Sequence, residues 1–482
     1  MKNKIKNKPR VLLINSPTGK DIARGFTSTQ YPLSLASLGT YLENKGIDVV
    51  MFDFCVMDFD KKRFINSLDK IKPDFVGVSC MTPTVNNGYK LIKIVKEYNP
   101  KIVSIMGGCH TTALPKQSLE EFPLVDFVVV GEGEYTTEEA ISRIKSGKSL
   151  KGVKGIAHRV NGKIVVEENR ELIADLDSMP FPKRDFVDIS LYKKTHVKRG
   201  ISRKFMNIAE IMTSRGCPNA CIFCATRIAY GFKVRFRSAE KIIEEIRMIV
   251  RDYKVNHITI LDDTFTLKKS LVYTICDEFK RLGLTWDCDT RVNFVTSDLL
   301  KKMKESGCIK VLFGIESGTD RMLKLIKKGI TIEKIKKAYK WANEAGIKYI
   351  EAAFIVGAHP SETKDELMQS IKLAKQIKAG LIYVGVVVPF PGTELYQIMK
   401  DNNLMDKDVD WDQFAVYGTT LKWRTFNFSK DELLALQKKF FLNYYLDPRV
   451  VFNIFRKIDS WSEFRYWCDI GMAFAKDVVK KR

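Results

Sequence analysis

Residues 214–224 read SRGCPNACIFC, and the fold and chemistry of the chain turn on this segment. Cys217, Cys221 and Cys224 stand in a three-plus-two spacing just after an expected strand, Ala209 to Thr213. Three thiolates can hold three irons of a cubane cluster and leave the fourth iron open to a substrate-like ligand. A single open iron is what coordination-driven electron transfer to a sulfonium requires. A closed zinc tetrahedron would want four nitrogen or sulfur ligands, and the nearest histidines in sequence are His196 and His257. The other plain reading, unpaired core cysteines, does not suit three thiols within eight loop residues.

Toward the carboxyl end the chain alternates strands and helices. Strands are expected at His257 to Leu261, Trp286 to Thr290, Val311 to Gly314, Tyr349 to Val356 and Ile382 to Val388. Helices are expected at Ala239 to Arg251, Ser270 to Leu282, Ser297 to Ser306, Ile332 to Ala345 and Lys364 to Ile377. With Ala209 to Thr213 these make six units, the pattern of a closed or partly closed parallel barrel of TIM type over residues 206–400. Thr363 with Glu366, and Ser429 with Glu432, read as capping boxes. The helix after Ser429 should stop near Asp447-Pro448.

Toward the amino end, residues 1–145 show short apolar runs at Val11 to Asn15, Asp48 to Asp53, Phe75 to Ser79, Ile102 to Gly107 and Phe127 to Val130. Helix-like stretches separate them, and Leu33, Leu35, Leu38 and Leu42 recur at helical spacing before Gly46. This half reads as a doubly wound α/β domain, whose ligand site belongs at the carboxyl ends of its strands. Residues 146–205 read as a linker, with a small hairpin in GVKGIAHRVNGKIV and with Pro180 and Pro182 opposing regular structure. Residues 401–482 read as mostly helical and end in a basic, aromatic tail carrying Phe452, Phe455, Trp461, Phe464, Tyr466 and Trp467.

A length of 482 residues favours two or three domains, and 45% apolar with 28% charged residues is the balance of a globular protein. The net charge of +23 is spread along the chain. It suits an anionic substrate, nucleic acid or an acidic membrane surface, or reflects a lysine-rich proteome. No apolar run approaches the roughly 18 residues of a spanning helix, and MKNKIKNKPR is not followed by a signal-peptide core, so a cytoplasmic location is expected. Ten cysteines without a secretory signal point to metal or redox chemistry rather than disulfides.

From residue 205 to 400 the sequence resembles the radical S-adenosylmethionine (SAM) superfamily. The match is carried by the three cysteines with Phe223 before the last, then in order by LDDTF (261–265), FGIESG (313–318), FIVGAHPSET (354–363) and PFPGTE (389–394). The resemblance implies a 4Fe-4S cluster on Cys217, Cys221 and Cys224, with SAM at the open iron. It further implies that Asp262 and Asp263 accept hydrogen bonds from the methionine amino group and that Glu316 holds the ribose hydroxyls. Arg291 is expected either to pair with the methionine carboxylate or to make a structural ion pair. Gly357 and Pro360 look like the adenine-side turn of the family, where His359-Pro360-Ser361 replaces the more usual glycine-rich form.

YPLSLASLGTYLENKG (31–46), MGGCHTTALP (106–115) and VVGEGE (129–134) resemble the cobalamin-binding domain that precedes many radical SAM enzymes. Tyr31, Pro32, Leu33, Gly107, Gly108, His110, Thr111, Gly131, Glu132, Gly133 and Glu134 carry this match and are implied to line the cobalamin. The Asp-x-His-x-x-Gly signature of domains that supply a histidine to cobalt is absent, so His110 is read as a polar contact and not as an axial ligand. An alternative is the methylthiotransferase arrangement, in which Cys55, Cys80 and Cys109 would hold a second cluster.

The resemblance implies an enzyme in which a 5′-deoxyadenosyl radical activates an unreactive carbon and methylcobalamin supplies the methyl group, so methylation at carbon or phosphorus is the leading reaction. Ring closure or rearrangement of a tetrapyrrole or lipid without net methylation is the alternative, and a redox or cobalamin sensor the non-enzymatic one. The sequence nominates no catalytic residue beyond these cofactor contacts. A reductant such as flavodoxin or ferredoxin and a small-molecule, lipid or tetrapyrrole substrate are the expected partners. No module supports nucleic-acid binding, and the tail leaves peripheral membrane contact open.

Overall fold

A computed structural model describes residues 8–17, 30–192, 207–418, 420–461, 463–465 and 467–468. Of the features read from sequence, the basic start over residues 1–7, His196 and the tail residue Tyr466 lie outside the described residues.

The amino-terminal strands are β1 (Arg10–Asn15), β2 (Asp48–Asp53), β3 (Phe75–Ser79), β4 (Val103–Gly107) and β5 (Phe127–Val129). They pair in parallel in the order β2-β1-β3-β4-β5. The register of β1 runs from Arg10 opposite Asp48 to Asn15 opposite Asp53 on one side, and from Val11 opposite Phe75 on the other. Both faces are apolar, as a parallel sheet covered on both sides requires. Val11, Leu13, Phe75, Ile105 and Phe127 pack toward the helix Leu33–Asn44, while Leu12, Ile14, Val76, Val78 and Met106 pack the opposite way. Strand order reverses between β1 and β3, which opens a crevice at their carboxyl ends.

The hairpin expected in the linker forms as β6 (Ile156–Val160) and β7 (Lys163–Val166), but it belongs to the first sheet. It pairs antiparallel on β5 through Phe127 opposite His158. The linker then crosses to the second half, where buried Arg184 donates to Glu210 O and to Glu245 Oε1, both at 2.8 Å.

The second sheet contains β8 (Ile208–Ile211), β11 (His257–Ile260), β12 (Thr285–Thr290), β13 (Cys308–Glu316), β14 (Tyr349–Val356) and β15 (Ile382–Val386), all parallel in that order. A short antiparallel pair, β9 (Ser214–Arg215) and β10 (Arg235–Phe236), lies between β8 and β11 in sequence. Among the described residues no pairing joins β8 to β15, so the barrel is partial and open on that side. Six of the surrounding helices start on Ser238, Thr296, Thr319, Thr331, Thr363 and Thr393, whose side chains accept from backbone N–H groups of the first turn. Both expected capping boxes form.

The outer face of this sheet is apolar: Ile258, Ile260, Trp286, Val311, Phe313, Ile350 and Phe354 meet the helices. Its lumen is not. Asp287 accepts from His257 and Thr259 at 2.8 and 2.9 Å, and Lys310 bridges Asp287 and Glu351. Strand β13 runs longer at both ends than the apolar run Val311 to Gly314 predicts, because its polar Lys310 and Glu316 face this lumen and interrupt the hydrophobic signal.

The helix Lys430–Tyr445 covers the edge of β15. Tyr445 Oη accepts from Ile382 N at 3.0 Å and Gln437 donates to Val384 O at 2.7 Å, so these backbone groups of the edge strand are satisfied. The chain then turns at Asp447 and continues as a second short helix, Pro448–Phe455. Among the described residues no helix is long and apolar enough to cross a membrane.

Candidate active site

The cysteine loop leaves β8 at its carboxyl end, where barrel enzymes place their chemistry. Two clamps hold its root. Asp262, at the end of β11, accepts from Thr213 N at 2.6 Å, Thr213 Oγ1 at 2.5 Å and Ser214 Oγ at 2.6 Å. On the other side the β9–β10 pair sets Arg215 opposite Arg235. Gly216 then turns with φ +99°, and a Cβ there would lie 2.6 Å from Lys233 O, so only glycine fits. The back of the loop is tied to the barrel by Ile222 N to Ile326 O at 3.2 Å and Leu395 N to Ile222 O at 2.9 Å.

All three cysteines are free thiols. Asn219 donates to Cys217 Sγ at 3.2 Å and Arg291 to Cys221 Sγ at 3.3 Å. Among the described residues no group of three or more His, Cys, Asp or Glu side chains converges as on a single ion. A cubane spreads its ligands over separate irons and does not demand that convergence. Three thiols on one loop with donors to sulfur therefore fit a cluster better than a mononuclear metal.

A second feature is a cavity of about 210 Å³ at the carboxyl ends of β14 and β15, lined by Phe223, Glu316, Tyr383, Val387, Phe390 and Tyr417 among others. Its aromatic and aliphatic walls with one carboxylate suit a nucleoside. Glu316 adopts φ +69° at the end of β13, where the register shifts, and accepts from Lys328 Nζ at 2.7 Å. Gly314 must lack a side chain for this pair to form, since a Cβ there would meet Glu316 Oε1 at 2.6 Å and Lys328 Nζ at 2.8 Å.

The other residues expected around SAM are placed differently. Asp262 is 3% exposed and its oxygens are taken by Thr213 and Ser214, so it is a support for the cysteine loop and not a contact for a methionine amino group. Asp263 opens outward and accepts from Thr226 at 2.9 Å; crowding by protein pushes its carboxyl up to about 6, with Asp262 and Asp289 adding to the rise. Arg291 is buried against Cys221, with a further bond to the carbonyl of Lys328, and among the described residues no carboxylate ion pair engages it. Gly357 turns with φ +73° and donates its N–H to Glu362 at 2.6 Å, making Glu362 the residue that shapes this turn.

A cavity of about 740 Å³ lies at the carboxyl edge of the first sheet and runs down between that sheet and the helix Leu33–Asn44. Tyr31, Pro32, Leu33, Gly107, Gly108, Gly131, Glu132 and Gly133 all line it. Glycines on its rim let a flat macrocycle approach backbone, and the slot walled by Leu13, Leu35, Leu38, Ile105 and Val129 suits the flat apolar base of a nucleotide tail. At Gly108, φ is +107° and a Cβ would sit 2.4 Å from Cys80 O. These features fit cobalamin.

Two expected cobalamin contacts fall outside the cavity. His110 is fully buried, packs edge-on against Trp411 at 4.8 Å, and burial pushes its ring down to about 4, so it is neutral. Thr111 donates to Gly108 O and Val129 O, both at 3.2 Å, and serves the local turn. Glu132 reaches the cavity wall, but its carboxylate is held by Arg215, Arg235 and Ile173 N. Cys55, Cys80 and Cys109, the set that the second-cluster alternative invokes, all border this cavity; Cys80 packs its sulfur against Gly88 and burial pushes its thiol up to about 12, while Cys55 is bonded to Ser16 O at 3.3 Å.

Sequence reasoning missed Arg215, Lys328, Tyr383, Glu362 and the lumen residues Lys310 and Glu351. Of these, Arg215 and Glu362 lie inside the quoted motifs, two residues before the first cysteine and next to last in FIVGAHPSET, and the others carried no local signal.

Residues 211–374 match the radical SAM superfamily, and residues 19–141 match the B12 binding domain. An uncharacterized methyltransferase of Pyrococcus horikoshii is 34% identical over 92% of this chain and 94% of its own length. An anaerobic magnesium-protoporphyrin IX monomethyl ester cyclase of Rubrivivax gelatinosus is 28% identical over 86% of this chain and 74% of its own. Among solved structures, the radical SAM methyltransferase TsrM of Kitasatospora setae, with tryptophan and a SAM analogue bound, superposes with a TM-score of 0.70 at 17% identity over 94% of this chain and 89% of that one. Fold, site and relatives together define a radical SAM enzyme with an appended B12 domain. The chain belongs to the cobalamin-binding branch of the radical SAM superfamily, and its cofactors are a 4Fe-4S cluster, SAM and cobalamin.

Proposed function

We propose that this enzyme transfers a methyl group from SAM through cobalamin to an unactivated carbon or phosphorus of a small-molecule substrate. The observation that carries the reading is contiguity: the 740 Å³ cavity on the first sheet is lined also by Ser214 and Arg215, the residues that lead into the cysteine loop. The cavity therefore extends from the glycine rim to the root of the cysteine loop.

When bound, the cluster supplies an electron to the sulfonium of SAM and cobalamin carries the methyl group. The chain's own residues do the rest. Cys217, Cys221 and Cys224 hold three irons, and Asn219 and Arg291 donate to the sulfurs of Cys217 and Cys221. Glu316, steadied by Lys328, offers an acceptor to ribose hydroxyls beside the aromatic walls of the smaller cavity. Asp263 is the remaining carboxyl near the loop for an amino group. Tyr31, Pro32, Leu33, Gly107, Gly108, Gly131 and Gly133 cradle the corrin, and the slot beside Leu35 takes its tail. Residues 1–145 with the following hairpin form the cobalamin unit and residues 206–400 the SAM unit, whose edge the helix Lys430–Tyr445 covers. An external one-electron reductant of the flavodoxin or ferredoxin type completes the cycle.

The support from relatives is a methyltransferase name at 34% identity. The test is anaerobic reconstitution with iron, sulfide and hydroxocobalamin, followed by SAM labelled in its methyl group and a reductant. The expected result is 5′-deoxyadenosine together with label on the corrinoid. Formation of 5′-deoxyadenosine with no label on cobalamin would overturn methyl transfer in favour of ring closure or rearrangement, and retention of cofactors with no SAM cleavage would point to a sensor.

A further inference from the structure

At the junction of the two sheets lies a buried quartet of charges. Arg215 Nη1 donates to Glu132 Oε1 and Arg215 Nη2 to Glu134 Oε1, each at 2.8 Å. Arg235 Nη1 donates to Glu132 Oε2 at 2.7 Å, and Ser37 Oγ to Glu134 Oε1 at 3.0 Å. The side chains are nearly dry, 12% and 5% exposed for Arg215 and Arg235, and 4% and 5% for Glu132 and Glu134. Two cations and two anions sum to zero formal charge, so the cluster carries no net charge of its own.

What matters is where each member is rooted. Both arginines sit opposite one another on the β9–β10 pair, and Arg215 is separated from Cys217 only by the fixed turn at Gly216. Both glutamates belong to the Gly131–Glu134 segment on the rim of the large cavity, and Ser37 lies on the helix that walls its slot. An arginine fork that engages two carboxylates at once holds direction as well as distance, which a single point charge does not. Because Asp262 already fixes the other side of the loop root, Arg215 is the link that sets the height of the cysteine loop above the rim.

We infer that Arg215, through its two-carboxylate fork with Glu132 and Glu134, is the positioning residue that fixes the separation and orientation of the cluster relative to the cobalt. This rests on the proposed function, since it presupposes that both cofactors are held where that reading puts them. Arg215 touches neither reacting atom in this role. It acts through the loop.

The test uses the full chain loaded with both cofactors and reduced to the paramagnetic cluster and cob(II)alamin, with the distance between them read by pulsed EPR. Wild type should give one narrow distribution. Arg215→Gln should retain both cofactors but broaden the distribution about twofold or more, and Arg215→Lys, which keeps the charge and loses the fork, should fall between. Glu278→Gln breaks ion pairs to Arg247 and Arg281 on the outer helices, and should leave the distance unchanged, separating positioning from general loss of stability. If Arg215→Gln does not accumulate as folded protein, Glu134→Gln carries the same expectation and the same criterion. A distribution for the loaded variant that superposes on wild type overturns this inference alone. A wild type that takes up one cofactor but not the other overturns the proposed function and this inference with it.

Discussion

The carboxylate of Asp262 accepts from the backbone N–H of Thr213 at 2.6 Å, four residues ahead of Cys217, and so anchors the cysteine loop from a neighbouring strand. Asp262→Ala leaves three buried donors without their acceptor. Each lost bond to a charged group costs about 1.5–3 kcal/mol, so the variant should show a clearly lower melting temperature and reduced iron and sulfide content. Asp262→Asn keeps one oxygen for Thr213 N and turns an amide toward hydroxyls that can rotate to accept it. It should retain most of the cluster by iron analysis.

Gly107 lines the large cavity, and an added Cβ there would meet nothing closer than Val129 Cβ at 3.8 Å. Gly107→Leu is therefore expected to fold and to push its side chain into the space meant for the corrin. Cobalamin affinity should fall at least tenfold, about 1.4 kcal/mol, when followed by absorbance titration. Iron content should not change, because the cysteine loop is untouched.

His110 is neutral, enclosed and outside the cavity. Its replacement by Phe keeps the packing on Trp411 and removes both ring nitrogens. The corrinoid absorption spectrum of the loaded variant should match wild type. A shift of its bands would mean that a nitrogen of His110 reaches the cofactor after all.

Glu362 is buried, and desolvation pushes its carboxyl from 4.5 up to about 8 against the opposing bonds from Gly357 N and Ala358 N. The folded protein thus keeps a proton that the unfolded chain releases. Stability contributed by this group is full below about pH 4.5 and is lost as pH rises through about 8. In the cofactor-free protein the melting temperature should decline between about pH 5 and about pH 8, and Glu362→Gln, which keeps an acceptor for Gly357 N, should flatten that decline.

Much of the architecture was legible in the chain because it is written in local patterns. Strands β2, β3 and β14 fall on the residues that their apolar runs predict, and the Thr363 and Ser429 capping boxes form as their spacing implies. The site was legible in part. The glycines of the cavity rim and Glu316 lie at lined cavities, whereas Asp262, His110 and Thr111 have the right positions in sequence and the wrong directions in space.

By itself the sequence determined that three thiols would share one loop after a strand, that two α/β units would follow one another, and which strand ends carry glycine. These are matters of spacing and of backbone freedom, both local. The tertiary structure alone decided that the linker hairpin joins the first sheet, that Asp262 turns inward to hold Thr213, and that Arg215 meets Glu132 and Glu134 from 83 and 81 residues away. Which partner a buried charge finds depends on which strand ends packing brings together, and no periodicity along the chain encodes that.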